Sequence, residues 1–454
     1  MSSNARDLTG QLETMKRRLE AGGMSRRQVL KVAAAAAGTA LAGAAVVAPS
    51  GAEAAGGARA RRLNALAQTT GEEQIFYQDG IYSNPSSFDW NLNLYCNAEE
   101  ETFAGLLTFD ENLVAVADWA ETWEPNADAS IWTFNIRPNN TGWSDGTAVT
   151  AGDFVWSWER QLNPANGAAY AGFLFDVKYA EQYNTDTPVD DANDPLNGQV
   201  PTGADLGVKA LDEWTLEVTC AGPRAYFPQV VAYQAAVPAP RWQVEALGEQ
   251  WALGGENPIV SNGPFQIDNW EYDVKIEMSK NEGFWDAESI RLARVIDPIF
   301  PAENNVLVYE EGSGEQQVDW TVLSAADFTR FSENEELATQ IQPYVYPGIW
   351  MLLPQVTVEP FNDLKVRQAL SHAIDRSQLE TVTNGLVTPA SCMVPAGVFG
   401  YLDDPTLAEI QAFDPAVAME MLVGTPYEGG EGWPEVTMYM RADEENYNAD
   451  VMAN

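Results

Sequence analysis

The chain has 454 residues, with 66 acidic side chains against 25 basic ones, one His and three Cys. Ten of the basic residues but only four of the acidic ones precede Leu63, so the rest of the chain carries 15 basic against 62 acidic residues. Phosphate backbones and anionic membrane surfaces repel such a body, and one His with three scattered Cys is a poor supply of zinc ligands or disulfides.

At 45% hydrophobic and 11% aromatic, the chain is apolar enough to build cores in two or three domains. The stretch from Met1 to Gly71 reads as an address and a linker. Arg26 and Arg27 stand in Ser25-Arg-Arg-Gln-Val-Leu-Lys31, followed by an uncharged Ala/Val/Gly run over positions 32–48 and by Ala52-Glu-Ala54. The run is short of the roughly 20 strongly apolar residues of a membrane span, and small residues occupy the positions a signal peptidase reads. The pattern resembles a twin-arginine export signal, with Val29 in place of the usual Phe. Such cargo folds before export in a reducing compartment, which makes Cys96, Cys220 and Cys392 expected core or cleft thiols rather than obligatory bridges. Residues 55–71 read as a flexible linker.

The body alternates strands and helices. Ile75-Phe-Tyr77 is a short apolar strand, and Trp132-Thr-Phe134-Asn-Ile136 alternates as a half-buried strand does. In Trp143-Ser-Asp-Gly146 the Asp145 side chain is expected to cap its own turn while Gly146 takes a positive φ. Thr150-Ala-Gly-Asp153 has the form of a capping box, ahead of a helix with Val155, Trp158 and Leu162 on one face. Residues 185–202, rich in Asp, Asn, Pro and Gly, read as a surface excursion. Trp214-Thr-Leu216-Glu-Val218 and residues 275–280 alternate again. Asp363 opens a helix with a stripe of Val366, Leu370, Ala373 and Ser377, which puts His372 on a solvated flank. Asp414-Pro415 supplies an N-cap and a first-turn proline for another helix. Residues 434–439 read as a strand, and a last helix is expected from about Asn446.

Catalytic constellations are missing from this pattern. There is no Gly-x-Ser-x-Gly elbow and no Gly-x-x-x-x-Gly-Lys-Ser/Thr phosphate cradle. A pair of glycosidase carboxylates would be hidden among so many acids, so a secreted hydrolase stays open beside a binding protein and an adhesin.

Several segments, taken in order, resemble the extracellular solute-binding proteins of ABC importers, in the oligopeptide, dipeptide and nickel class. These are Phe103-Ala-Gly-Leu-Leu107; Trp132-Thr-Phe-Asn-Ile-Arg137; Trp143-Ser-Asp-Gly-Thr147; Thr150-Ala-Gly-Asp-Phe-Val-Trp-Ser-Trp-Glu-Arg160; Ser261-Asn-Gly-Pro-Phe265; Lys280-Asn-Glu-Gly-Phe-Trp285; and Val366-Arg-Gln-Ala-Leu-Ser-His-Ala-Ile-Asp-Arg376. The resemblance implies an α/β, bilobal, periplasmic-binding-protein-like fold with an extra subdomain in the first lobe. Its expected parts are a first lobe of residues 72–110 plus 205–292, an inserted subdomain of 111–204, and a second lobe of 293–454. In that family the chain continues past this point, so the second lobe is expected to be incomplete. The resemblance further implies an exported, monomeric receptor without catalysis or cofactor. It would capture oligopeptides and hand them to membrane permease and ATPase subunits, with sugar oligomers or metal chelates as alternative cargo. Motif matching places Asn91, Leu92 and Asn93 where relatives pair backbone with ligand, Tyr170 near the ligand's amino end, Asn262 near a crossover, and Trp350 facing the cleft. Trp143, Trp156 and Trp158 are expected in the core.

Overall fold

The computed structural model describes residues 74–438, apart from 80–82, 93–98, 256, 302–303, 313–316, 343–347, 384 and 399. The export signal, the linker, Cys96 and the expected last helix lie outside the described residues. The described residues fall into two compact units, divided between Val322 and Leu323.

The first unit holds two four-stranded sheets and a two-stranded ribbon. Its strands are β1 (Ile75–Tyr77), β2 (Leu107–Phe109), β3 (Ala115–Ala117), β4 (Ala120–Pro125), β5 (Ile131–Ile136), β6 (Val208–Ala210), β7 (Thr215–Thr219), β8 (Phe265–Glu271), β9 (Lys275–Lys280) and β10 (Arg294–Pro298). One sheet runs β1-β10-β9-β8, with β1 parallel to β10 and the other pairs antiparallel. The second runs β4-β5-β7-β6, all antiparallel, and β2 pairs with β3. Alternation in β5 and β7 works as expected. Trp132, Phe134 and Ile136 are buried, and Trp132 and Phe134 stand opposite Val218 and Leu216, so apolar pairs line one face.

Strands β6 and β7 lie beyond residue 205 and share a sheet with β4 and β5. Strand β10, beyond residue 293, completes the β1 sheet, and the second compact unit starts at Leu323. Local contrast along the chain carries no information on such pairings, because a hairpin partner and a strand from a remote part of the chain have the same alternation.

Helix α1 (Ala151–Leu162) begins as read. The Asp153 carboxylate accepts from the Thr150 amide at 2.7 Å and the Thr150 hydroxyl at 3.2 Å. Burial pushes the Asp153 carboxyl above the usual range, against the hydrogen bonds from Thr150 and the Trp143 indole. Asp145 caps its own turn by accepting from the Thr147 amide at 2.9 Å, and Gly146 has φ +87°. Large rings fill the core of this unit: Trp119, Trp143, Trp158, Trp251, Phe134, Phe154 and Phe227 are fully buried, and Trp156 is half-buried. Buried indoles find acceptors, Trp119 on the Asn262 carbonyl at 3.1 Å and Trp158 on the Ala236 carbonyl at 2.9 Å. Residues 185–202 form the expected excursion, mostly exposed, with one isolated bridge between Val189 and Asn197.

Between β9 and β10, the Glu277 carboxylate takes Arg294 at 2.7 Å and Lys275 at 3.3 Å. Burial works to raise this carboxyl, but hydrogen bonds from Asn269 and Lys275 and the charges of Lys275 and Arg294 outweigh it and hold it below its ordinary value. A depressed carboxyl stabilises the fold above its unfolded-state value, and that contribution fades as pH falls through the folded-state value. Glu277→Gln should therefore lower the unfolding free energy at neutral pH by about 1 kcal/mol, as for a partly screened pair. The difference from wild type should close as pH drops through the carboxylate range, in melting curves recorded from neutral to acid pH.

In the second unit, α2 (Leu364–Ala373) packs on α3 (Pro415–Met421) around Val366, Ala369, Ala418, Leu422 and Tyr427. Both helices are capped as expected, Asp363 accepting from the Lys365 amide and Asp414 from the Ala416 and Val417 amides. Three readings need correction here. His372 is buried, not solvated, and its Nδ1 lies 2.6 Å from the Ala412 carbonyl oxygen. The buried stripe of α2 runs Val366–Ala369–His372, so Ala373 and Ser377 face solvent. Residues 434–438 are not a strand; Val436 and Met438 are about half exposed, at 47% and 46%, which denies the segment a buried face. No helix among the described residues is long and apolar enough to cross a membrane, and no group of three or more possible metal ligands occurs among them.

Candidate functional site

Asn91 and Leu92 sit in a turn rather than a strand. The Leu92 amide donates to the Asp89 carbonyl at 3.1 Å, and the turn is fixed by side chains that come from far along the chain. The Arg160 guanidinium, at the end of α1, meets Asp89 with both Nη atoms, at 2.9 Å on the Oδ1 side, and reaches the Asn91 amide oxygen at 3.4 Å. The Trp251 indole donates to the same Asp89 carboxylate at 3.2 Å, and the Asn91 amide nitrogen donates to the Val237 carbonyl at 3.0 Å. Asp89 and Arg160 are nearly buried, with side chains 8% and 12% exposed, and Asn91 is buried. The fork of Arg160 and the shape of the Asp89 carboxylate match, so the ion pair is directional as well as strong. The Asn91 side chain is engaged in this knot; Leu92 is half-buried beside it, and Asn93 lies outside the described residues.

Asn262 is likewise committed to the fold. It is fully buried, its Oδ1 accepts from the Ala104 amide at 3.0 Å and its Nδ2 donates to the Ala104 carbonyl at 2.9 Å. Asn281 completes this junction by donating to the carbonyls of Gly142 and Gly263 at 3.0 and 2.9 Å. These two amides satisfy backbone groups of the segments around 104, 142 and 263 that enter no ladder.

Tyr170 has a different setting. It precedes a 3₁₀ turn, Ala171–Leu174, and its carbonyl accepts from the Gln161 side chain of α1 at 3.3 Å. Its ring meets Phe173 edge-on, with centroids 5.2 Å apart, and Tyr233 at 6.1 Å. Tyr170 and Tyr233 are half-buried, and Phe173 is exposed. Trp350 belongs to the second unit, in a segment without regular structure, and is 38% exposed. The sequence pattern thus points to Tyr170 but not to Phe173 or Tyr233, and it misses Asp89 and Arg160. Arg160 reads as an ordinary last-turn cation of a helix, and only the fold reveals its partner far back along the chain.

Burial pushes the Cys220 thiol up to about 12, with the Asp176 charge acting the same way, so it stays protonated at neutral pH. His372 has its Nδ1 tied to a backbone carbonyl.

Comparison with known proteins agrees with this architecture. Residues 115–453 match the profile of the bacterial extracellular solute-binding proteins, family 5 Middle. The chain is 33% identical over 319 residues to the periplasmic oligopeptide-binding protein OppA of Salmonella typhimurium, a match that covers 70% of this chain and 54% of that protein. It is 30% identical over 342 residues to the probable deoxycholate-binding periplasmic protein YgiS of Escherichia coli, covering 72% of this chain and 58% of that one. Among solved structures, OppA of Burkholderia pseudomallei superposes with a TM-score of 0.62 at 24% identity, over 79% of this chain and 68% of the other; that likeness gives the mixed α/β fold of these binding proteins. The chain spans about half the length of the curated relatives it matches. The profile covers most of the body, both four-stranded sheets contribute to the matched span, and the motif order follows it, so the chain belongs to the bacterial extracellular solute-binding proteins of family 5.

Proposed function

We propose that this protein captures oligopeptides outside the cytoplasm and delivers them, chemically unchanged, to the permease and ATPase subunits of an ABC importer. The observation that carries the reading is the 33% identity to an oligopeptide-binding protein across 70% of the chain. The acidic surface supports it, because a net charge of −41 attracts the amino ends and basic side chains of peptides within the ~8–10 Å that salt leaves unscreened. The match to a relative named for deoxycholate favours a second reading, an amphipathic organic acid. The same charge argues against that anion. The export signal around Arg26 and Arg27 would place the protein in the periplasm or on the outer face of the membrane.

In this reading, main-chain pairing with an extended ligand gives affinity that is blind to side chains, and water fills the remaining space in the pockets. We assign Leu92 and Tyr170 to ligand contact. Asn91 and Asn262 act behind that surface by holding backbone. The test is thermal unfolding of the purified chain against mixed tri- to pentapeptides and against deoxycholate. Peptide at 100 times its Kd should add about 2.7 kcal/mol of stability. An unfolding midpoint unmoved by every peptide but raised by deoxycholate would replace this reading by the second.

A further inference from the structure

Phe173 and Tyr233 stack with centroids 4.6 Å apart and 22° between their planes, and Tyr170 closes the group edge-on against Phe173. Phe173 is 44% exposed in a unit where Phe88, Phe134, Phe154, Phe227 and Phe265 are buried. The rings stand on firm ground. Behind Phe173, Leu174 is fully buried and α1 holds the Tyr170 carbonyl through Gln161. Behind Tyr233, the 3₁₀ turn Gln234–Ala236 is buried, with the Ala236 carbonyl holding the Trp158 indole.

Phe173, exposed and held in place by its stack on Tyr233, offers solvent an electron-rich ring, and such a ring attracts cations lying flat on its face. The chain as a whole carries 66 acidic side chains and only 25 basic ones, a balance that favours a cation over an anion as guest. Of the cationic side chains, the guanidinium is planar and weakly hydrated and stacks on aromatic faces, whereas an ammonium is a compact, strongly hydrated point charge. We propose that Phe173, with Tyr170 and Tyr233, forms a shelf that receives the arginine side chain of a bound peptide. The shelf makes this one side chain a preferred feature in a ligand otherwise held by its backbone. The inference rests on the peptide reading above for the identity of the guest.

The experiment is calorimetric titration of the purified chain with tetrapeptides that differ at one position by Arg, Lys, citrulline or norleucine, with that position moved along the peptide. At one position Arg should bind about fivefold tighter than citrulline or norleucine, and tighter than Lys. In Phe173→Leu the ratio of Arg to norleucine affinity should fall towards one. Equal affinities for Arg and norleucine at every position of the wild type, or an unchanged ratio in Phe173→Leu, would overturn the shelf. A second arm uses N-acetyl-argininamide, which carries the side chain without a peptide. Saturation-transfer NMR should show its guanidinium-side methylenes touching the wild type and losing that contact in Phe173→Leu. Signal there with no binding of any tetrapeptide would keep the shelf and remove the peptide reading; no signal from either probe would remove the shelf.

Discussion

Asp89→Asn should cost about 3 kcal/mol of stability, at the lower end of the range for removing one partner of a buried ion pair. The substitution leaves the Arg160 guanidinium buried against a neutral amide, with the Asn91 amide oxygen as its other hydrogen-bond acceptor. Arg160→Met should cost a similar amount for the opposite reason, since Asp89 would keep the Trp251 indole but lose its cation. The double variant Asp89→Asn/Arg160→Met should lose clearly less than the sum of the two, because no orphaned charge remains. Calorimetric unfolding of wild type, both single variants and the double variant at neutral pH measures this directly. Single losses below about 0.5 kcal/mol, or strict additivity, would show that the pair is an incidental surface contact.

Gly263→Ala should be as damaging. A Cβ at Gly263 would lie 2.4 Å from the Thr102 carbonyl carbon and 2.7 Å from the Phe103 nitrogen. Those atoms are backbone and cannot rotate away. The same backbone is held on one side by the Gly263 amide donating to the Thr102 carbonyl at 2.7 Å, and on the other by the Asn262 amide gripping Ala104. Relief of the clash has to break part of this junction, so a loss of about 3 kcal/mol is expected, the upper end for overpacking. Gly172→Ala is the control, because nothing lies within 4 Å of its Cβ position. Its stability should change by less than about 0.5 kcal/mol. Equal unfolding midpoints for the two variants would mean that the junction around Asn262 and Asn281 is looser than its geometry implies.

Local features of the fold are legible from sequence where a short-range rule decides them. The Thr150–Asp153 box, the Asp145 turn and the caps at Asp363 and Asp414 each depend on residues two or three apart, and each forms as read. The burial alternation of β5 is legible for the same reason. Long-range choices are not. Asn262 in Asn-Gly-Pro has the look of a turn residue, and nothing near it says that its amide will grip Ala104, 158 residues earlier. His372 reads as solvated because a polar side chain belongs by default on the polar face; a single backbone carbonyl at Ala412 is enough to draw it inside. Residues 434–438 alternate like a strand, yet a strand exists only where a partner edge is paired, and local periodicity cannot supply one. At the candidate site the motif order points to Tyr170, whereas Tyr233 joins it from a separate element, and the Asp89–Arg160 knot closes over a long stretch of intervening chain.

Native mass spectrometry of the purified chain with an equimolar peptide mixture, followed by release in acid and mass analysis of what was bound, decides whether the proposed capture leaves its guest chemically unchanged. One peptide per chain is expected, of varied sequence and enriched in arginine, recovered at its original mass. Shortened or otherwise modified peptides accumulating with time, in a preparation free of contaminating peptidase, would contradict it.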